Sequence, residues 1–415
     1  MSFEQTKHFN GSCSCATINR EKLEQIQKMV GGNDEGSFDF QKYFSSSPTS
    51  LSKLSLQKIE VFLKSLRIVL ENKEIFNHLL NDMGSRFYQV LPGEVTGGLF
   101  LGFDFHDTET GPKLIEINTN AGGLLINSIL YEVQEECCTL LYSKKEISDY
   151  SKMKDIVFQF FLNEWKIQFK DRKLRTVVIL DDDPKNQFLY PEFKIFQKIL
   201  LENKVSCFIL SPEELRLVDD RLYYLEEKID FIYNRHTDFL LHQPSMKPVS
   251  QAWASGNLCL SPNPIDYMLF ANKANLQVLS DKEFLRKYGI DEDTIRVFAE
   301  MIPETHVVHE SERDIYWEKR KKVFFKPLNS YGSRGVYAGR KITKSKFDEI
   351  LKLDYLAQEE VPPTTRTINS TDFKIDYRAY VYNFDLLMLA SRLYKGQTTN
   401  FRTEGGGFSA VMEVG

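Results

Sequence analysis

Three stretches of this sequence carry residues whose types and spacing suit phosphate and metal chemistry. The first is Gly97-Gly-Leu-Phe-Leu-Gly-Phe-Asp-Phe, followed after a turn by Lys113-Leu-Ile-Glu-Ile-Asn, which reads as a β-hairpin over 99–118. If its turn, Asp107 to Lys113, is symmetric about Thr110, Asp104 stands opposite Glu116. Glu116 and Asn118 are two apart on one strand and share a face. Carboxylates directly opposite one another repel, so something has to compensate. A hard divalent cation such as Mg²⁺, with Mn²⁺ as the alternative, accepts this oxygen set and fills its remaining positions with phosphate oxygens. The competing reading is a solvated Asp104 and an Asn118 that caps a turn.

The second stretch is Val323-Phe-Phe-Lys-Pro-Leu-Asn-Ser-Tyr-Gly-Ser-Arg-Gly-Val. An apolar strand delivers Lys326, and a loop with Gly332 and Gly335 follows. Backbone N–H groups in such a loop can cradle phosphates, with the lysine adding a point charge. It is not a Walker A loop, and no dinucleotide Gly-x-Gly-x-x-Gly is present; an ordinary Gly-containing hairpin fits it too. The third is Asp376-Tyr-Arg-Ala-Tyr-Val-Tyr … Ala390-Ser-Arg-Leu … Asn400-Phe-Arg-Thr-Glu-Gly-Gly-Gly. Arg378 and Arg392 fall on apparent strands, where a half-buried guanidinium is costly unless paired. They face phosphate, or they pair with Asp376 and Glu404. Gly405 to Gly407 suit a hinge or a close backbone approach.

Composition limits what these residues can serve. The 415 residues suggest two or three domains, and 42% apolar with 13% aromatic residues is ample for packed cores. Lys plus Arg number 53 against 58 Asp plus Glu, a net charge of −5 with no long basic run, which argues against duplex nucleic acid as partner. No apolar run is long enough to span a membrane, and the start, Met1-Ser-Phe-Glu, lacks a secretory pattern. Six scattered cysteines without a Cys-x-x-Cys pair read as reduced thiols. The expected setting is cytoplasmic, with no membrane partner.

The elements that must position the three stretches follow from periodicity. Residues 1 to about 45 read as polar and irregular, and Ser45-Ser-Ser-Pro-Thr-Ser50 as a loop or the start of a helix. From Leu51 to about Asn81, Leu54, Ile59, Phe62, Leu66, Val69 and Ile75 mark one or two amphipathic helices, and 151–170 looks helical. Thr176–Leu180, a helix over about 190–203, Val205–Leu210 and Ile229–Tyr233 form a small parallel α/β unit, with ligand-bearing loops at the strand carboxyl ends. There, Asp181-Asp-Asp reads as a solvated loop, and Arg235 in Tyr233-Asn-Arg-His-Thr-Asp as a carboxylate clamp or a surface-paired arginine. A helical stretch after Pro264 leads to Ile302-Pro-Glu-Thr, and from about 305 strands alternate with Gly-rich turns. His306 and His309 face opposite sides of a strand and carry no function.

Together these stretches resemble the ATP-grasp superfamily. Lys-Pro followed by a Gly loop resembles its phosphate-covering hairpin, and Leu356-Ala-Gln-Glu-Glu-Val361 its adenine-holding hinge strand. Asp376-Tyr-Arg, Ser391-Arg, Asn400 and Gly405-Gly resemble the glutathione synthetase and ribosomal-protein glutamate ligase branch. Gly102-Phe-Asp-Phe … Leu114-Ile-Glu-Ile-Asn-Thr-Asn resembles the metal-ligand hairpin, and Asn272-Lys273 with Ile302-Pro-Glu-Thr the first ATP lysine and the strand after it. In most of the family the metal hairpin follows the Arg–Asn–Gly-Gly segment; here it comes far earlier. That order resembles the circularly permuted arrangement of glutathionylspermidine-synthase-like proteins. Gly102-Phe103 stands where an arginine often precedes the metal aspartate, and Asn400 lies further from the glycines than the pattern expects.

The resemblance implies an α/β (α+β) chain with a circularly permuted ATP-grasp fold and a small parallel α/β domain before the grasp. Residues 1–150 would hold the N-terminal helices and metal hairpin, 151–270 the small domain, and 271–415 the nucleotide-binding part and the rest of the core sheet. It implies an ATP-dependent carboxylate–amine ligase working through an acyl phosphate on a small acid, amino acid or peptide. Asp104, Glu116 and Asn118 would hold Mg²⁺; Lys273, Lys326, Ser330, Gly332, Ser333 and Gly335 would meet phosphates, and Gln358, Glu359 and Val361 adenine. Arg378 and Arg392 would neutralise the transferred group, and Arg235, Asn400, Gly405 and Gly406 would serve the substrate. Two rivals stand beside this reading: a small-molecule kinase on the same fold, and a nucleotide-binding or interaction module without catalysis.

Overall fold

The structure is a computed structural model, and it describes residues 3–13, 15, 18–31, 38–80, 95–135, 149–328, 335–400 and 403–414. Its largest sheet is built from sequence-distant pieces. The hairpin strands Leu101–Thr108 and Gly111–Asn118 lie at one edge. Leu101–Thr108 pairs antiparallel with the long strand Thr371–Tyr382, which continues through Asp385–Tyr394 to Gly407–Val414. Thr49–Ser52 closes the far edge, parallel to Gly407–Val414. The hairpin joins the sheet that holds Arg378 through its first strand.

Alternation explains why Thr371–Tyr382 can be central. Phe373, Ile375, Tyr377, Ala379 and Val381 face the core beneath helix Lys53–Glu71, against Ile59, Phe62 and Leu63. The other face carries Asp376 and Arg378, then Tyr380 and Tyr382 in a second core. Helix Lys53–Glu71 starts at Ser52, whose hydroxyl accepts from the Ser55 N–H at 3.0 Å. Each fully buried Leu, Ile or Phe on it contributes roughly 1.5–3 kcal/mol.

A four-stranded sheet, Thr176–Leu180, Ser206–Leu210, Phe231–Asn234 and Cys259–Ser261, is parallel throughout. Helix Tyr190–Glu202 links the first two strands as the periodicity predicts. The meander Arg216–Val218, Arg221–Tyr224 and Glu227–Lys228 was not anticipated; its pieces are too short for a pattern. A third sheet orders Thr305–Val307, Tyr355–Glu359, Val323–Pro327 and Tyr337–Ala338 around a separate core of Phe325, Phe347, Ile350 and Tyr355. The expected strand-and-turn run after 305 also holds helices Arg313–Lys319 and Lys344–Ile350, the second opened by the Thr343 cap.

Two further expectations are corrected. The N-terminal region holds helices Phe3–Ser12 and Arg20–Gly31, and Leu23, Ile26 and Val30 bury one face of the latter. Their three- and four-residue spacing was legible but lay among many polar residues. Asp181 is not solvated: it is 4% exposed and accepts from Gln187 Nε2 at 2.8 Å. Among the described residues no helix is long and apolar enough to cross a membrane.

Arg366 locks the N-terminal helix onto the sheet. It is fully buried, and donates to the carbonyls of Pro48 (2.9 Å) and Asn10 (2.8 Å). Arg366→Ala strands both carbonyls and opens a cavity; the expected cost is about 3 kcal/mol, measured by denaturant unfolding, with early hydrogen exchange in residues 3–12.

Asp266 gives the fold a pH response. Burial, and secondarily the Glu164 charge, push its carboxyl up to about 8, while the Asn263 N–H that it accepts at 2.8 Å opposes the shift. A raised folded-state value means that the unfolded chain releases this proton first. Stability from this group is full below pH 3.8 and is lost as pH rises toward 8. Asp266→Asn removes that slope, and a gain of about 1–3 kcal/mol is expected at pH 8, with none below pH 4, in unfolding curves across pH.

Candidate active site

The hairpin turn is tighter than the symmetric turn assumed from sequence. Thr108 pairs with Gly111 and Phe105 with Leu114, leaving a two-residue connection, Glu109-Thr110, followed by Gly111 at φ +114°. The register then shifts between Asp104 and Phe105, and Asp104 faces Glu116 after all, with Gly102 facing Asn118. Ile115 is the additional residue of this bulge. Its effect is decisive: Leu114 and Ile117 both reach the core, so without the bulge Glu116 would share the buried face of Leu114. With it, Glu116 and Asn118 line a cavity of about 310 Å³ together with Asp104.

Protein groups offset part of the Asp104–Glu116 repulsion. Arg378, opposite Asp104 on the neighbouring strand, donates from Nε to Oδ1 (2.6 Å) and from Nη2 to Oδ2 (2.7 Å). Arg392 Nη2 reaches the same Oδ2 at 2.7 Å and also pairs with Asp376. Asn118 Nδ2 donates to Asp104 at 3.2 Å and to Glu116 at 3.3 Å. Burial alone would raise the Asp104 carboxyl, but the charges and hydrogen bonds of Arg378 and Arg392 outweigh it and hold it at about 2. The Gly102-Phe103 departure has a geometric reason. Phe103 is fully buried on the opposite face, and a Cβ on Gly102 would come within 2.6 Å of Ala121 Cβ and 3.2 Å of Arg378 Nε.

Lys326 enters from the third sheet. Its Nζ donates to the carbonyl of the bulged Ile115 (3.0 Å) and to Gln358 Oε1 (2.5 Å). Burial pushes its pKa down to about 8, against the pull of Glu116. Burial also lowers Lys273, again opposed by Glu116, so both lysines share one carboxylate neighbour. Gln358 is 2% exposed and spent on Lys326 and Thr305, while Glu359 and Val361 line the cavity.

His106, which sequence reasoning passed over, lies two residues from Asp104 on the same face. Its Nδ1 contacts the Val361 carbonyl at 2.7 Å; a carbonyl only accepts, so that nitrogen carries the proton. Burial drives His106 down to about 4 and keeps it neutral. Thus the Val361 carbonyl is engaged by His106. Asp376 appeared above only as an arginine partner; it also lines the cavity, and accepts from Thr399 Oγ1 at 2.7 Å. Period-two counting from Asp104 and Arg378 would have found both.

The remaining candidates lie elsewhere. Arg235 donates to the Asn120 carbonyl and stacks near Phe193 and Tyr233, bracing the loop after the hairpin. Asn400 holds its own loop through the Lys395 and Thr398 carbonyls. Gly405 has φ +75°, and a Cβ on Gly406 would sit 2.3 Å from the Leu393 carbonyl oxygen, so both shape the turn before the last strand. Gly335 accepts from Tyr355 Oη at 3.1 Å. Ser330, Gly332 and Ser333 lie outside the described residues, as does most of the Gly loop.

The cavity lining offers Lys326, Arg378 and Arg392 against Asp104, Glu116, Asp376 and Glu359. Carboxylates outnumber cations, so this surface would repel a bare polyphosphate and attract a hard cation. The oxygens of Glu116 and Asn118 fit such an ion, with Asp104 beside them. Ile115, Phe324, Val336 and Val361 supply apolar lining suited to a flat ring.

No protein-family model and no curated protein matches the chain. Among solved structures it is similar to a glutathione synthetase-like effector from Globodera pallida, with 9% identity, TM-score 0.54, and 89% of this chain and 90% of that one covered. It also matches a provisionally named gamma-glutamylcysteine synthetase from Methylobacillus flagellatus, with 13% identity, TM-score 0.49, and 86% and 87% covered. The first likeness extends over nearly the whole of both chains. The chain is a mixed α/β protein with a glutathione synthetase-like fold.

Proposed function

We propose that the chain is an ATP-dependent carboxylate–amine ligase with a circularly permuted ATP-grasp core. One observation carries the reading: Asp104, Glu116 and Asn118, Lys326, and Arg378 with Arg392 come from three sequence-distant segments and converge on one cavity. The glutathione synthetase-like fold supports the same class.

In this reading a substrate carboxylate attacks the γ-phosphate of ATP, forming a C–O–P bond as ADP leaves. An amine then attacks the acyl carbon, forming the C–N bond while phosphate departs with the C–O electron pair. The chain's task is positioning and charge neutralisation rather than covalent chemistry. Lys326 and Lys273 bind phosphate oxygens. Arg392 and Arg378, held by Asp104 and Asp376, meet the charge that develops on the transferred group and the carbonyl oxygen. Glu116 and Asn118, with Asp104, would hold Mg²⁺ or Mn²⁺, whose charge offsets the phosphates. Ile115, Phe324 and Val361 flank the base. Arg235, next to the hairpin's following loop, is the acceptor-side candidate; Asn400, Gly405 and Gly406 would act through the shape of their turn.

ATP titrated calorimetrically into the purified chain is expected to bind only with Mg²⁺ present. Screening amino acids and peptides should then give phosphate release with an amide product. Absence of binding in a folded sample would overturn the reading, and a phosphorylated small molecule without amide would assign a kinase instead.

A further inference from the structure

Away from that cavity, the N-terminal ends of strands Thr176–Leu180 and Ser206–Leu210 open on a concavity of about 570 Å³. Its charge is unlike that of the chain. Arg172, Lys173 and Arg175 enter from the link before Thr176, and Arg221 and Lys228 from the meander, against Glu227 and Asp230 alone. Asp230 is already neutralised: it is buried, accepts the Arg175 backbone N–H at 3.0 Å, and pairs with Lys228 at 3.4 Å. Among the described residues, Arg172, Lys173, Arg175 and Arg221 make no ion pair, although the whole chain carries −5. A solvated helix face would string such charges side by side; here separate segments aim them into one hollow, which focuses the field.

The wall is prepared as well. Trp165 and Phe169 stack with centroids 4.1 Å apart, and Trp165 Nε1 donates to the Arg172 carbonyl at 2.5 Å, fixing the link that bears the three cations. Three of these four cations are arginines, Arg172 lying over the Phe169 ring at 5.8 Å; their planar forks match phosphate oxygens in pairs, and the volume suits a small ligand. We propose that this concavity is a second anion site that binds a compact phosphate-bearing ligand with at least two phosphate groups. It lies at the opposite end of the parallel strands from Asp181 and Arg235, and it stands independently of the ligase reading.

The probe is inorganic triphosphate, titrated into the full chain without divalent cations, by calorimetry and by tryptophan fluorescence. Saturable binding that perturbs Trp165 emission and weakens with added salt is expected. The Arg172→Ala, Arg221→Ala double variant alters only exposed side chains. It should lose about tenfold or more in triphosphate affinity, while unliganded melting is unchanged or slightly raised by relief of like charges. Its Mg²⁺-dependent ATP binding should stay that of the wild type. Triphosphate affinity equal in wild type and double variant, or no binding at low salt, would overturn the site. Citrate binding as tightly as triphosphate would overturn the phosphate assignment.

Discussion

Asp104→Asn is expected to destabilise the chain by about 3–5 kcal/mol, because it leaves the buried fork of Arg378 without its carboxylate. Arg392 keeps Asp376, so the loss falls mainly on one guanidinium. The size of the effect comes from burial: Asp104 is 1% exposed and Arg378 8%, so water cannot substitute for the missing charge. Urea unfolding measures it, and the Asp104→Asn, Arg378→Met double variant should recover part of the loss, as expected of a coupled pair. The acid limb should also change. With a folded value near 2 against 3.8, Asp104 contributes stability above pH 3.8 that disappears as pH falls through 2. In the variant that contribution is missing at neutral pH, so its stability should depend less on pH in this window.

Glu116→Gln should do the reverse. Glu116 faces Asp104 across the hairpin, yet its hydrogen-bond partner is Asn118, and among the described residues no arginine forms a salt bridge with it. Stability should fall by only about 1–2 kcal/mol: Lys326 and Lys273 lose a carboxylate neighbour, but Lys326 keeps its bonds to the Ile115 carbonyl and Gln358. ATP turnover should fall about 10²–10³-fold, and the Mg²⁺ dependence of ATP binding should weaken with it. Steady-state phosphate release and calorimetry test this directly. Wild-type-like turnover in a folded Glu116→Gln sample would remove the metal assignment. These two outcomes would separate the opposed carboxylates by role, Asp104 fastening the sheet and Glu116 serving the proposed metal site.

Much of this site was legible in the sequence because period two in strands assigns faces without any knowledge of tertiary structure. Glu116 with Asn118, and Asp376 with Arg378, follow from that alone. The Asp104–Glu116 pairing came out right although the assumed turn was wrong, because the Ile115 bulge restores by one residue what the tighter turn removes. No propensity marks Ile115 as a bulge; its carbonyl is stabilised by Lys326, which lies 211 residues away. His106 was missed for a related reason. A histidine on an apolar strand looks like any core residue until the Val361 carbonyl arrives beside it.

The sequence by itself determined the parallel strand–helix–strand unit, the amphipathic helix Lys53–Glu71, and which side chains leave each strand of the large sheet together. These follow from local periodicity and caps, which act over a few residues. Only the tertiary structure decided what those side chains meet. Strand pairing set Arg378 against Asp104 across 274 residues and made both candidate arginines partners of a buried carboxylate. It also gathered Arg172, Arg175 and Arg221 into one hollow on an acidic chain. The reason is that charge interactions depend on distance and burial, and both are properties of the packed fold rather than of the order of residues.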